Sequence, residues 1–325
     1  MGDVVVVTGG AGYIGVPLCL ELASTGRSVR AVDALLHDQA AVAQTLVDAG
    51  VELIRADIRD AATRQRALTD AQAVVHLAAI VGDPACARDP ELSGQVNVDA
   101  ARAVTLDAER LGVQRFVFAS TCSNYGRMAD PTHPIDERGA LAPVSLYAEQ
   151  KVAMEHWLLD GSHGSLRPTC LRLATVYGVA PRMRFDLTVN EFTRDLWAGR
   201  DLEVFGEQFW RPYVHVRDVA RAIRTVLDAP LELVAGEVFN VGRSGENYRK
   251  LDLVREIRKL TDRGTVSYVH RDEDPRDYKV SFDRIRAVLD FDTEMTVPDG
   301  IAEVLQALEE HRFGDPFDGR YRNTR

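Results

Sequence analysis

Two residues in "SLYAEQK", Tyr147 and Lys151, stand four apart and share one face of a helix, one turn from each other. A lysine held near a phenol and partly desolvated lowers the phenol pKa, so that the tyrosine acts as a base near neutrality. Upstream, "STCSNYG" ends an apolar run with Ser120, Thr121, Cys122 and Ser123. Together these groups suit removal of a proton from a substrate hydroxyl. Tyr-x-x-x-Lys alone is common on surface helices. Its position after a fifth predicted strand, downstream of a dinucleotide-type turn, gives it weight.

That turn is "TGGAGYIG", which follows the first predicted strand and opens a helix. Gly10, Gly12 and Gly15 satisfy G-x-G-x-x-G, while Gly9, Gly12 and Gly15 give G-x-x-G-x-x-G. Glycine is required for a tight turn, close approach to a pyrophosphate, and helix–strand packing. The helix N-terminus offers free N–H groups and a partial positive charge to phosphates. An acid, Asp33, ends the second strand about 20 residues on. Its carboxylate accepts from both ribose hydroxyls and repels a 2′-phosphate, and no Arg or Lys follows in "ALLHDQ". The pattern therefore favours NAD over NADP. Asp57, after the third strand, is a candidate for the adenine amino group or an ordinary helix cap.

The elements that must position these groups are legible as alternating segments. "DVVVVTGG", "SVRAVDALL", "VELIRAD", "AVVHLAA", "RFVFAST" and "TCLRLATVYG" read as buried strands, separated by helical stretches. This rhythm predicts βαβ units in a parallel sheet. After Tyr177 it loosens, and the Arg- and Asp-rich stretch 271–283 reads as part of a smaller lobe. "PYVHVRDVARAIRTVL" and "EVFNVG" read as material returning to the main sheet. We expect an NAD-binding domain over 1–178 plus about 212–243, and a substrate lobe over about 179–211 and 244–325.

Composition bounds the reading. An apolar share of 46% over 325 residues supports a sizeable core. The net charge of -10 argues against a nucleic-acid surface. No apolar run approaches the ~20 residues that span a bilayer, so no membrane partner is expected. Cys19, Cys86, Cys122 and Cys170 lack metal-like spacing, and no signal peptide precedes Val4. A reduced, cytoplasmic enzyme without disulfides or metal is the expectation. His76 and His215 read as core residues, and Trp157, Trp197 and Trp210 as packing.

From Val4 to about Leu289 the chain resembles the extended short-chain dehydrogenase/reductases, in particular the nucleotide-sugar epimerase/dehydratase family. "TGGAGYIG", Asp33, "ADIRD", "HLAA", Asn97, "STCSNYG", "YAEQK", "LRLATVYG", "RPYVHVRDVA" and "FNVG" carry the resemblance. It implies a Rossmann-type doubly wound parallel sheet with a smaller, mixed α/β C-terminal lobe, and NAD as cofactor. It implies cofactor contacts from Gly9, Gly12, Tyr13, Ile14, Gly15, Asp33, Asp57, Ile58, Leu77, Ala78, Ala79, Tyr147, Lys151 and Tyr177. Thr121 would hold the sugar hydroxyl for Tyr147. Arg211 and Arg276 would grip a nucleotide diphosphate, unless they serve as salt bridges, with Asn190 nearby and Arg182 and Arg184 as aids. The helices around Leu106 and "AEQKVAMEHWLL" would pair two copies of the chain as a four-helix homodimer.

Two departures qualify the resemblance. Family members that eliminate water follow the threonine with Asp-Glu, where this chain has Cys122 and Ser123. A standard 4,6-dehydratase is therefore not expected; small residues there fit an epimerase, while Cys122 as acid or base is the alternative. Some 4-epimerases also place a lysine near Val81, where this chain reads "IVGDPACARDP". The resulting expectation is an NAD-dependent nucleotide-sugar epimerase, working at C4 through a transient 4-keto sugar. A 4-dehydrogenase or ketoreductase, an unusual dehydratase using Cys122, and an NAD-responsive binding protein are the alternatives.

Overall fold

The computed structural model describes residues 4–128, 132–161, 163–271 and 276–323; residues 272–275 of the Arg- and Asp-rich stretch lie outside the described residues. The strands, in chain order, are β1 (Val4–Thr8), β2 (Ser28–Asp33), β3 (Glu52–Arg55), β4 (Ala71–His76), β5 (Arg115–Thr121) and β6 (Arg167–Leu173). There follow β7 (Thr175–Tyr177), β8 (Leu202–Phe205), β9 (Trp210–His215), β10 (Glu237–Val241), β11 (Asn247–Arg249) and β12 (Val266–Val269).

Seven strands form one parallel sheet in the order β10-β6-β5-β4-β1-β2-β3. Both faces are covered, which explains why strand sequences such as "VVVV" are continuously apolar rather than alternating. Val5 and Val7 meet Leu18 and Leu22 of the Gly15–Ser24 helix and Val219 and Ile223 of the Val216–Asp228 helix. Val6 and Val74 face the other way, towards Val104, Met154 and Leu158. Each such side chain taken fully out of water stabilises the fold by about 1.5–3 kcal/mol. The strand order reverses at β1 and β4, so the crevice at their carboxyl ends is the place where this architecture receives ligands.

The second lobe is built from two small sheets, β11-β9-β7 and β12-β8. Tyr177, Phe192, Tyr213, Leu253 and Ile301 form its core. "TCLRLATVYG" is not one strand. Ala174 N–H donates to Val241 O at 3.1 Å, and the chain then leaves the large sheet as β7. β10 and the Val216–Asp228 helix do return to the large domain. β9 does not: its backbone pairs with β7 and β11, and Tyr213 packs into the lobe core.

Candidate active site

The glycine turn is fixed by contacts that exclude larger residues. Gly9 has φ +70°, donates to Val32 O at 2.7 Å, and a Cβ there would lie 2.9 Å from Ala78 N. A Cβ on Gly15 would lie 2.2 Å from Gly9 O. The turn therefore touches the start of the loop after β4, where Leu77 N–H donates to Thr8 O and Ala78 N–H to Thr8 Oγ1. Thr8 Oγ1 also meets His76 Nδ1 at 2.9 Å. Burial holds His76 down at about 3, with Lys151 acting the same way, so it stays neutral.

Asp33 braces this turn as well as ending β2. Its Oδ2 accepts from Ala11 N–H at 3.0 Å and its Oδ1 from Leu35 N–H at 2.8 Å. Burial raises the carboxyl, against the pull of those N–H groups and of Arg182. Gln39, which sequence reasoning missed, donates from Nε2 to Ala11 O at 2.7 Å. The helix that follows has no side-chain cap and no acid in its first turn. Its N–H groups, the glycine cradle and the Asp33 acceptor fit a dinucleotide. Asp57 lies at the exposed edge, held by Arg59 at 2.7 Å, which lowers its carboxyl; the Ile58 side chain packs into the core.

The chemical groups meet at the ends of β4 and β5. Ser145 Oγ accepts from Ala148 N–H and starts the Leu146–Leu159 helix, placing Tyr147 in its first turn and Lys151 one turn later. Lys151 is buried, donates to Ala119 O at 2.7 Å, and lies 4.5 Å from the centre of the Phe118 ring and 5.8 Å from that of Tyr147. Burial brings its ammonium down to about 8. The expected lowering of the Tyr147 phenol is not found. Burial pushes it up, Cys86 and Asp83 push the same way, and Arg184 opposes them. Thr121 Oγ1 accepts from Ser123 N–H at 3.1 Å and caps the turn that begins at Cys122.

Four expectations about side chains are corrected. Cys122 is 1% exposed, its Sγ meets Arg172 O at 3.2 Å, and burial raises the thiol well above its ordinary range. It packs in the main core and is no acid or base for a substrate. Asn190 is fully buried: Oδ1 accepts from Gly178 N–H at 2.9 Å, while Nδ2 donates to Arg184 O at 2.8 Å and Tyr13 Oη at 3.1 Å. These bonds occupy it as a latch and leave no group for a phosphate. The Tyr177 ring is also fully buried, between His215 and Gly300, so only its backbone can face a cofactor. Tyr13 likewise turns its hydroxyl away from the crevice, donating to Gly178 O at 2.6 Å.

Across the cleft, Arg211 is 8% exposed, donates to Trp210 O at 2.7 Å, and stacks 5.4 Å from the Tyr278 ring. Tyr278 Oη in turn meets Ser123 Oγ at 3.3 Å. Arg276 pairs at 3.0 Å with Asp83, the first residue of the Asp83–Arg88 helix after β4, joining the two lobes at the cleft. Sequence reasoning missed the network beneath the site. Glu155 is fully buried, accepts from Ser120 Oγ and from Asn124 Nδ2 at 2.8 Å, and forms a 2.7 Å ion pair with Arg172. Arg172 also donates to Tyr125 Oη at 3.0 Å, which donates to Asn240 at 2.7 Å. The sole sequence signal was Glu155 falling four after Lys151.

A parallel sheet with this strand order, a glycine turn at its switch point and a Tyr–Lys helix beside it define a dinucleotide-dependent enzyme of the short-chain dehydrogenase/reductase type. Residues 5–242 match the NAD dependent epimerase/dehydratase family, and the chain belongs to it. It is 30% identical to a UDP-glucose 4-epimerase of Rhizobium meliloti, over 89% of this chain and 92% of that one. It is also 30% identical to a dTDP-glucose 4,6-dehydratase of Streptomyces griseus, over 94% of each. Among solved structures, MoeE5 in complex with UDP-glucuronic acid and NAD superposes with a TM-score of 0.81 at 29% identity, covering 95% of this chain and 99% of that one.

Proposed function

We propose that the chain is an NAD-dependent nucleotide-sugar epimerase that inverts C4 through a transient 4-keto sugar. What supports this reading is that Lys151, one helical turn from Tyr147, bonds Ala119 O two residues before Thr121, while Cys122 packs in the core. Relatives that act on UDP-glucose and a neighbour that holds UDP-glucuronic acid and NAD support it. The dehydratase alternative loses its acid when Cys122 is buried, since Ser123 supplies only a hydroxyl.

Thr121 orients the C4 hydroxyl and Tyr147 takes its proton. Bound NAD supplies the acceptor and later the donor of the hydride. Burial holds the Tyr147 phenol up in the free enzyme, so its deprotonation would rest on the Lys151 ammonium together with the positive nicotinamide ring of bound NAD. Tyr147 returns the proton after the keto sugar has turned over in the cleft. Arg211 and Arg276 hold the diphosphate throughout, so the sugar rotates without leaving.

The described residues contain no helix long and apolar enough to cross a membrane. We place the enzyme in the cytoplasm, where its four free, buried thiols stay reduced. The homodimer would form through the Ala101–Arg110 and Leu146–Leu159 helices, where Leu106 is half exposed and Arg102 stacks 5.6 Å from Trp157.

The test is incubation with UDP-glucose, UDP-glucuronic acid and dTDP-glucose, with products read by mass and by NMR. An isomer of unchanged mass is expected. Loss of water, or stoichiometric free NADH, overturns the epimerase in favour of a dehydratase or a dehydrogenase.

A further inference from the structure

Arg182 lies in the loop after β7 and bonds no carboxylate among the described residues. The residue is 5% exposed, and its Nε has no hydrogen-bond partner. A terminal nitrogen makes a 3.5 Å contact with Arg322 O, and no ion pair involves Arg182 among the described residues. Its neighbour Arg184, by contrast, is neutralised by two 2.9 Å bonds to Asp186. Asp186 and Asp33 act on this guanidinium without bonding it, and a buried N–H left without an acceptor is costly, so the site has room for an anion that completes it.

Its surroundings identify the anion. The loop is tied to the glycine turn by Tyr13 Oη, which donates to Gly178 O and accepts from Asn190. Asp186, Asp33 and Tyr13 all lie close enough to Arg182 to act on its charge, and the last two belong to the dinucleotide turn and its brace. Burial and the like charge of Arg184 bring Arg182 down to about 10, which leaves it cationic at neutral pH. The loop is held from behind by the end of the chain: Phe185 N–H donates to Tyr321 O at 2.9 Å, and Asn323 N–H donates to Asp186 at 3.0 Å. The Phe185 ring packs against Phe313 and Tyr321. The loop that carries the cation is therefore fixed in place.

We propose that Arg182 is a phosphate-binding residue of the dinucleotide site, supplied by the substrate lobe and braced by residues 313–323. It would give the cofactor phosphates a charge-assisted contact from the substrate lobe, so that both lobes hold one cofactor. The inference rests on dinucleotide binding and is independent of which sugar the enzyme takes.

The experiment compares wild type, Arg182→Met and Arg182→Lys as purified holoenzymes. It measures the rate at which NAD is lost on dilution into excess ADP-ribose, and UDP affinity by calorimetry. Loss of a charge-assisted contact predicts NAD release faster by about tenfold or more in R182M. R182K is expected between the two, and UDP affinity within about twofold of wild type. Unchanged NAD release in both variants overturns the proposal. Weakened UDP binding with unchanged NAD release overturns it in favour of the sugar-nucleotide diphosphate. Should R182M not fold, R182K alone decides, since it keeps the charge and loses the fork.

Discussion

Lys151 and Glu155, one helical turn apart, grip adjacent residues of the same strand. Lys151 Nζ donates to Ala119 O at 2.7 Å, and Glu155 accepts from Ser120 Oγ. The next residue of β5 is Thr121. The helix that carries Tyr147 is thus registered against the strand that carries its hydroxyl partner. Proton transfer needs such fixed positions, because misplacement of a reacting group by an ångström is expensive in rate.

Tyr147→Phe removes only the phenolic oxygen. Turnover is expected to fall by about 10²–10⁴-fold, with NAD still retained and KM little changed. Steady-state kinetics beside mass-spectrometric counting of bound NAD checks this.

The activity should decline as pH rises through about 8, where the Lys151 ammonium loses its proton. Its folded value is depressed from 10.5, so between about 8 and 10.5 the unfolded chain binds more protons than the folded one. Stability from this group therefore rises across that window and is at its lowest below it. Lys151→Met should lose the alkaline decline. Its stability relative to wild type should be greatest near pH 7 and shrink towards pH 10, as read by urea denaturation.

Cys122→Ala should turn over at the wild-type rate, because the buried thiol faces Arg172 O and not the cleft. The cost is a small cavity, about 1 kcal/mol of stability. A large drop in kcat with the fold intact would return Cys122 to the chemistry.

Arg172→Met strands Glu155 without its counter-charge, and a loss of about 3–5 kcal/mol is expected. The double variant Glu155→Leu/Arg172→Met should cost less than the sum of the single ones, because neither charge is left behind. Denaturant midpoints of the three proteins measure the coupling.

What was legible in the sequence was local. Val4–Thr8, the glycines that follow and the acid that ends β2 obey rules spanning a few residues, and Tyr147 and Lys151 are set by helical spacing. The strand positions and the cofactor turn follow from these alone. The latch between Tyr13 and Asn190 joins residues 177 apart in sequence, and Glu155 meets Arg172 from a different element. No periodicity announces such pairs. Nor does a sequence show which way a side chain turns: Cys122 and Ser123 are neighbours, yet one enters the core and the other meets Tyr278. The Tyr147 phenol departs from what its helical spacing implies for a related reason. Proximity of a lysine is visible in spacing, whereas the burial that outweighs it is a property of the folded whole.

The chain leaves the large sheet after β6, comes back to it as β10, and departs again for β11. The two lobes are therefore sewn together rather than strung in series. Neither can be cut out and grafted onto another enzyme as a cassette. New substrates for this architecture must come from point changes around the cleft, made while the lobes stay stitched.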